Sequence, residues 1–233
     1  MAQAVDKPEA QRYMGGGILR KEDPELLTGQ ARYIDDITIP GMLWVGIVRS
    51  PFAHARISSV DTSRAEKMPG VVAVYSGQDF ADDFADGLPC AWPVTEDIKL
   101  PKHWPVARDK ARYAGDAVGV VVADSRERAK DALEAVDVDY EPLDAVVGTE
   151  RALEDGAPLV HDEFDSNSCY TWTLAQGEVD RVFSEAPVVV TERYFHPRLI
   201  PNAIEPRGVV VQPIAAMGEF TLYSATQVPH ISM

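Results

Sequence analysis

The sequence lacks the features of secreted, disulfide-stabilised and membrane-spanning proteins. Its 233 residues include only two cysteines, Cys90 and Cys169, far apart along the chain. Two such cysteines form no disulfide framework, and they are compatible with a reducing cytosol. No segment approaches the roughly 20 apolar residues that cross a bilayer, and the first residues, MAQAVDKPEAQ, hold no apolar run of a secretory signal. We therefore expect a cytoplasmic protein without membrane insertion.

Basic residues are also few. Lysine and arginine number 22 against 37 aspartates and glutamates, which gives a net charge of −15. A nucleic-acid-binding face needs cations to meet phosphates, and anionic membranes also attract cations, so both classes of partner are disfavoured. The length and the 45% apolar content are ordinary for a globular protein of one or two domains.

The clearest pattern lies between Ala117 and Tyr140. The apolar run Ala117–Ala123 predicts a strand buried on both faces, and Ser125 after it can cap a helix. Apolar residues then recur at helical spacing, at Ala129, Ala132, Leu133 and Val136. They next alternate with aspartates up to Tyr140, which predicts a half-exposed strand. Strand, helix and strand with short joints indicate a crossover connection, which would be right-handed.

A second strand–helix–strand unit precedes this one. Strands are predicted at Ile57–Val60 and Val71–Tyr75, with a short helix between Asp61 and Met68. A further apolar strand is predicted at Met42–Val48. The two units predict a first domain over residues 18–143.

The segments on either side of this domain are less regular. Residues 1–17 are predicted to be a flexible arm. Residues 144–176 are acidic and contain prolines and glycines, which predicts an extended connector with one turn of helix near Glu150–Leu153.

Regular patterns return in residues 177–233. The spacing predicts a helix that ends before Pro187, a strand over Val188–His196, and a strand pair formed by Gly208–Gln212 and Phe220–Ala225. One helix and about three strands would leave apolar faces without further layers. We therefore expect an incomplete domain that another segment or chain completes.

Three features are weak candidate sites. The triplet Gly15–Gly17 lacks the Lys-Ser/Thr ending of a phosphate-binding loop, so a loose arm is the favoured interpretation. The carboxylates of Asp82, Asp83 and Asp86 could bind a cation, but the EF-hand pattern is missing, which favours a solvated loop. His54 could act as a ligand or base, yet no second His or Cys stands at metal spacing, and polar side chains at bends more often cap backbone groups.

Several linked stretches carry a resemblance to a known family over most of the chain, from about Gly17 to His230. They are Arg20–Asp23, Thr28-Gly29, Tyr33–Asp36, Arg49–Pro51, Ala53–Ala55, Pro69–Val71, Tyr113–Asp116, Val121–Asp124, Val138–Glu141, Gly177–Asp180, Asn202–Gly208 and Ser224–His230. In their order and spacing the chain resembles the amino-terminal part of the large, molybdenum-cofactor subunit of molybdenum hydroxylases. That family includes xanthine dehydrogenase, aldehyde oxidase and aerobic carbon monoxide dehydrogenase, and the carbon monoxide dehydrogenase-like branch is nearest.

The resemblance implies a fold and a reaction. The expected fold is α+β: an α/β hammerhead-type domain with strand–helix–strand units, followed by the incomplete start of a molybdopterin-binding domain. The family inserts a water-derived oxygen at an electron-poor carbon, or oxidises carbon monoxide, and passes electrons to iron–sulfur clusters and usually a flavin.

The resemblance also implies cofactors and partners. The expected cofactor is molybdenum-molybdopterin, in its cytosine dinucleotide form, in which the pterin dithiolene and not protein side chains hold the metal. Two cysteines cannot ligate a four-thiolate iron–sulfur cluster, so clusters and flavin are expected on partner subunits.

Site residues follow from the same resemblance. Gln227 matches the family glutamine whose amide approaches an oxygen ligand on molybdenum, and a neutral amide can donate that hydrogen bond. The alternative is a glutamine that satisfies backbone groups at a strand end. Glu205 is predicted to form a structural ion pair with Arg207 or Arg198. A catalytic role is disfavoured, because a buried acid beside arginine stays ionised and makes a poor general base at neutral pH. The family's Gly-Gly-Phe-Gly loop, Gly-Gln-Gly contacts and catalytic glutamate all lie downstream of His230, so no catalytic residue is assigned here.

Two functions stay open from the sequence. The first is a part of a molybdenum hydroxylase that is inactive alone and is completed by another segment that shares the cofactor. The second is a non-catalytic assembly module that kept the hammerhead domain. An independent small enzyme is disfavoured because no nucleophile, nucleotide loop or paired-carboxylate pattern stands out. The sequence leaves open the substrate and whether Met233 is a natural end.

Overall fold

The structure is a computed structural model that describes Gly17, residues 19–88 and residues 94–230. The predicted arm over residues 1–16, Cys90 and Met233 lie outside the described residues. The chain divides into a larger unit, residues 41–193, and a smaller unit made of residues 1–40 and 194–233. The domain boundaries inferred from the sequence stay predictions.

Helices and strands are mixed along the chain. The helices are α1 (Asp23–Leu27), α2 (Ser63–Glu66), α3 (Arg126–Leu133) and α4 (Val179–Glu185), with short 3-10 helices at Ile34–Asp36 and Arg151–Leu153. The strands are β1 (Trp44–Arg49), β2 (Ala55–Asp61), β3 (Val71–Ser76), β4 (Lys110–Ala111), β5 (Ala117–Ala123), β6 (Asp137–Pro142), β7 (Val209–Ile214) and β8 (Glu219–Ser224). The predicted α+β class is confirmed.

The larger unit contains two antiparallel sheets of three strands. Strand β5 lies between β1 and β3 in the first sheet, and β2 lies between β4 and β6 in the second. The core forms on both faces of β5, because Val118 and Val121 are fully buried and residues three apart in a strand point to opposite faces.

Different elements pack on the two faces of β5. Val121 packs with Ala65 of α2 and Ala132 of α3. Val118 packs with apolar residues of the second sheet, Ile57, Val138 and Tyr140. The larger unit is therefore built as helices, first sheet and second sheet, in that order.

Helix α3 begins and packs as its sequence predicts. The Ser125 hydroxyl accepts a hydrogen bond from the Arg128 amide at 3.2 Å, which caps the helix. A Cβ at Gly46 would lie 3.0 Å from a methyl of Leu133. The absence of a side chain at Gly46 therefore lets α3 approach strand β1 closely.

The predicted crossover connections are wrong. Strands β5 and β6, joined by α3, belong to different sheets, and so do β2 and β3, joined by α2. All strand pairs among the described residues are antiparallel. The local patterns identify each element correctly, but strand pairing is decided by which apolar faces meet across the core, and adjacent elements do not reveal that.

One predicted strand is also wrong. No strand forms over Val188–His196 in the structure, and its apolar residues are exposed, with Val190 at 77% and Phe195 at 83%. A strand needs a partner for its backbone groups, and the described residues supply none for this segment. The predicted helical turn near Glu150–Leu153 and the strand pair near the end of the chain are confirmed.

Two features that would indicate a metal or a membrane are absent from the described residues. No group of three or more His, Cys, Asp or Glu side chains is placed to hold a metal ion within residues 19–88 and 94–230. Asp86, in the acidic cluster, instead pairs with Lys102 at 3.1 Å. In the same residues, no helix is both long and apolar enough to span a membrane.

The buried position of Val121 gives a testable prediction. Val121→Ala should lower the free energy of unfolding by about 2 kcal/mol, because it removes two buried methyl groups and leaves a cavity. Val72→Ala on β3 is the matched control, since Val72 is 59% exposed and its change should stay within about 0.5 kcal/mol. Urea denaturation followed by circular dichroism checks both values. Equal losses in the two variants would contradict the central position of β5.

Candidate cofactor-binding site

The smaller unit carries its strands as a hairpin. Val209 pairs with Ser224 at the open end, and Ile214 pairs with Glu219 beside the turn. Gly218 in the turn has a φ of 66°, in the left-handed region that favours glycine. The Ala225 amide donates to the Gly208 carbonyl at 3.3 Å, so the pairing extends just past β8.

Gln227 lies three residues beyond the end of β8 and is exposed. The Val228 amide donates to the Thr226 hydroxyl at 3.3 Å, which shapes the bend around Gln227. Within the described part of the chain, no hydrogen bond of the Gln227 amide is found. Its two N–H donors and its carbonyl are therefore available to an external group. Its role in binding a cofactor stays a prediction.

Glu205 has a different partner from the predicted arginines. Its Oε1 accepts a hydrogen bond from the Ile34 amide at 3.0 Å, at the first residue of the 3-10 helix Ile34–Asp36. Among the described residues, no ion pair joins Glu205 to Arg207 or Arg198. The first amides of a helix have no partner inside it, so a carboxylate that reaches them satisfies a free donor.

Glu205 lines a cleft in the smaller unit of about 450 Å³. Three isoleucines, Ile34, Ile37 and Ile39, give this cleft apolar walls, and Tyr223 from β8 also lines it. The volume falls in the range typical of small-molecule sites, about 300–1,000 Å³. The arrangement is suited to holding part of a ligand, and within the described residues it contains no nucleophile beside a base.

Apart from Glu205, the residues that line this cleft, Ile34 and Tyr223 among them, had no predicted role. The stretch Tyr33–Asp36 contributed to the family resemblance, but the sequence gives no sign that the Ile34 amide meets a residue 171 positions away. The carboxylate of Asp36 accepts from the Tyr33 amide at 2.9 Å, which holds the turn in place. A contact with a backbone amide leaves no residue pattern, so sequence reasoning missed it.

His54 lies in the larger unit and is only 8% exposed. Its Nδ1 is 2.8 Å from the Asp144 carbonyl, and since a carbonyl only accepts, this nitrogen is the donor. The favoured interpretation, a histidine that caps a backbone group at a bend, is confirmed. Its Nε2 is buried and has no partner within the described residues.

Comparison with known proteins gives two family matches. Residues 28–144 match the a/b hammerhead domain of aldehyde oxidase and xanthine dehydrogenase. Residues 160–233 match the molybdopterin cofactor-binding domain. The first match covers the larger unit's two sheets, and the second covers β7, β8 and Gln227.

Individual relatives are similar over nearly the whole chain. The carbon monoxide dehydrogenase large chain of Afipia carboxidovorans is 33% identical over 95% of this chain and 28% of its own length. The nicotine 6-hydroxylase large subunit of Paenarthrobacter nicotinovorans is 33% identical over 96% of this chain and 27% of its own. Among solved structures, quinoline 2-oxidoreductase from Pseudomonas putida 86 has a TM-score of 0.84 and 36% identity, over 95% of this chain and 28% of that one. The chain therefore spans little more than a quarter of these relatives.

The Glu205–Ile34 contact can be tested by amide hydrogen exchange. Glu205→Ala should speed exchange at Ile34 by about fivefold, which corresponds to the loss of about 1 kcal/mol of hydrogen bonding. Glu205→Gln keeps a carbonyl oxygen as acceptor and should exchange at close to the unsubstituted rate. Unchanged exchange in the alanine variant would remove Glu205 from its assigned structural role.

Proposed function

Because the chain belongs to the aldehyde oxidase and xanthine dehydrogenase family, we propose that it is part of the large subunit of a molybdenum-cofactor-dependent oxidoreductase. The observation that carries the proposal is the molybdopterin cofactor-binding match over residues 160–233. The relatives that this chain resembles include proteins named for carbon monoxide, nicotine and xanthine. The substrate class is accordingly an aldehyde, an N-heterocycle or carbon monoxide.

Gln227 is the residue of this chain that we assign to the cofactor. It is exposed at the end of β8, it is a neutral donor, and no described residue takes up its amide. Such a group can donate a hydrogen bond to the bound cofactor without adding charge to the site. When bound, the molybdenum cofactor supplies the oxidative chemistry. The chain's own part is to orient the cofactor and to present the cleft lined by Glu205 and Tyr223.

The exposure of apolar residues supports a completing segment. In the smaller unit, Phe195 is 83% exposed, Ile200 84%, Val209 60% and Phe220 65%. A two-stranded hairpin is marginal alone in water, and large apolar side chains that are more than half exposed lack the burial that would stabilise it. A further segment or chain is therefore proposed to cover this surface and to complete the cofactor site.

Relatives named as subunits of complexes support partner subunits in general. We propose iron–sulfur and flavin partners as electron acceptors, with no cluster or flavin on this chain. We further propose the cytosine dinucleotide form of the cofactor and a cytoplasmic location. The partner subunits and the dinucleotide form follow from the family, and the missing cluster and the location follow from the composition of the chain, not from a contact in the structure.

A non-catalytic assembly module is the second candidate. One observation favours it: the larger unit has its own buried core, including Val118 and Val121, whereas no described residue of the smaller unit is buried. A hammerhead domain of this kind can fold and bind partners without an active site.

Metal content separates the two functions. The chain should be produced under molybdate-replete conditions together with the carboxy-terminal remainder of a family large subunit, and the purified complex analysed for molybdenum. The enzyme function predicts about one molybdenum per complex. A complex that forms but remains free of metal would favour the assembly module.

The role of Gln227 is tested in the same complex. Gln227→Ala should lower turnover about tenfold, equivalent to about 1.4 kcal/mol, since one hydrogen bond to the reacting centre is lost. Gln30→Ala is the matched control, because Gln30 is also an exposed glutamine of the smaller unit. Thermal unfolding of both variants should match the unsubstituted complex. Unchanged kinetics in the Gln227 variant would remove this residue from the site.

Limited proteolysis tests the need for a completing segment. In the chain alone, trypsin should cut readily near Arg193, Arg198 and Arg207, because this region has no buried core to protect it. The resulting fragment should retain the larger unit, as mass spectrometry can establish. A chain whose last roughly 50 residues resist trypsin would show that the segment needs no complement.

A further inference from the structure

The larger unit contains a cavity with an unusual lining. Its residues are distant from Gln227 in sequence, and Gln227 belongs to the smaller unit. The cavity volume is about 130 Å³, and the cations Lys102, Lys110 and Arg112 line it together with His103 and His161. One carboxylate, Asp116, also lines it. In a chain of net charge −15, this concentration of cationic and imidazole groups needs an explanation. We name it the Arg112 cavity.

Two nitrogens of this lining have unmet hydrogen-bonding capacity. The Arg112 Nη1 donates to the Lys110 carbonyl at 3.3 Å, but its Nε is buried and has no partner among the described residues. The His161 Nδ1 is also buried without a hydrogen bond; the Glu163 carboxylate is 3.6 Å from it and forms an ion pair with it only when the ring is protonated. A buried donor without an acceptor costs about 1–3 kcal/mol, so an acceptor in the cavity would be favourable.

The carboxylates nearby leave room for another anion. Asp116 is buried, and its carboxylate accepts a hydrogen bond from the Arg112 backbone amide at 3.0 Å. Part of its hydrogen-bonding capacity is therefore used by the backbone. Lys110 is buried and pairs with Asp162, whose side chain is 69% exposed, and Lys102 pairs with Asp86, which is equally exposed. Both side chains of the Lys102–Asp86 pair are exposed, so water competes for it, whereas Lys110 is buried and its ion pair with Asp162 lowers the pKa of that carboxyl.

We propose that the Arg112 cavity binds a small oxyanion, a carboxylate or a phosphate, that accepts hydrogen bonds from Arg112 and His161. Water takes about 30 Å³ per molecule, so the cavity has the space of about four waters, which suits an ion of this size. Arginine offers donors in a planar fork that matches the oxygens of either anion. Trp104 and Tyr113, also in the lining, give the cavity partly apolar walls.

The charge of His161 should change when the cavity is filled. Burial, and next the positive charge of Arg112, lower the pKa of His161, while Glu163 acts in the opposite direction. A bound anion would favour the protonated imidazolium and would therefore raise this pKa. The shift supplies a signature that filling by water alone would not produce.

The probe is inorganic phosphate, with acetate as the carboxylate and sodium chloride as the control for ionic strength. The full chain is titrated while the ring proton resonances of His161, assigned with a His161→Gln variant, are followed by NMR as pH is varied. Saturable binding with an upward shift of the His161 pKa is expected for phosphate or acetate, and not for chloride. The anion that gives the larger shift identifies the preferred class. No shift with either anion would overturn the proposal.

Four substitutions sharpen the test. Arg112→Gln should weaken phosphate binding at least tenfold, whereas Arg56→Gln should not, because Arg56 pairs with the exposed Glu141 at 3.2 Å outside the cavity. Asp162→Asn should strengthen binding, because it removes the carboxylate that competes for Lys110. If Arg112→Gln fails to fold, Lys102→Gln takes its place with a smaller expected loss. Equal phosphate affinity in the cavity variants and in Arg56→Gln would contradict the proposal.

Discussion

The burial of strand β5 on both faces is the constraint on which the larger unit depends. Val121 on one face packs under helices α2 and α3, and Val118 on the other faces the second sheet. Apolar burial stabilises a fold by roughly 25 cal/mol per Å², and Val118 and Val121 bring that burial to both faces of this strand. Its neighbours β1 and β3 pair with it on either edge, so the first sheet is arranged around β5.

Much of the larger unit could be predicted from the sequence because its signals are local. The valine run of β5, the cap at Ser125 and the helical spacing of α3 each depend on adjacent residues, and each element lies where it was expected. The pairing of the strands depends on residues far apart, and there the crossover prediction was wrong. The strand predicted over Val188–His196 was wrong for a related reason: apolar residues alone do not supply a pairing partner.

In the candidate site, too, local features could be predicted from the sequence and contacts between distant residues could not. The bend at Gln227 lies directly after a predicted strand, so its position could be foreseen, and the family resemblance supplied its expected role. The contact between Glu205 and the Ile34 amide joins distant segments through a backbone group, and charge patterns pointed to arginine partners instead. Because a backbone amide is present at nearly every residue, no residue type marks the one that is used.

The two units differ in how completely their own residues bury their apolar side chains. The larger unit closes its core from its own sequence, whereas the described part of the smaller unit leaves Ile200, Phe195 and Phe220 largely exposed. The comparisons agree with this difference, since the chain spans only about 28% of the carbon monoxide dehydrogenase large chain and of quinoline 2-oxidoreductase. We propose that the cofactor site is a shared structure, to which this chain contributes the hairpin, the Glu205 cleft and Gln227.

The central claim is that the smaller unit needs a further segment to bury its apolar side chains. Hydrogen exchange followed by mass spectrometry tests this claim most directly, by comparing the chain alone with the assembled large subunit. We expect the amides of β5 to be protected in both states, and those of β7 and β8 to gain protection only on assembly. Strong protection of β7 and β8 in the isolated chain, equal to that of β5, would contradict the account.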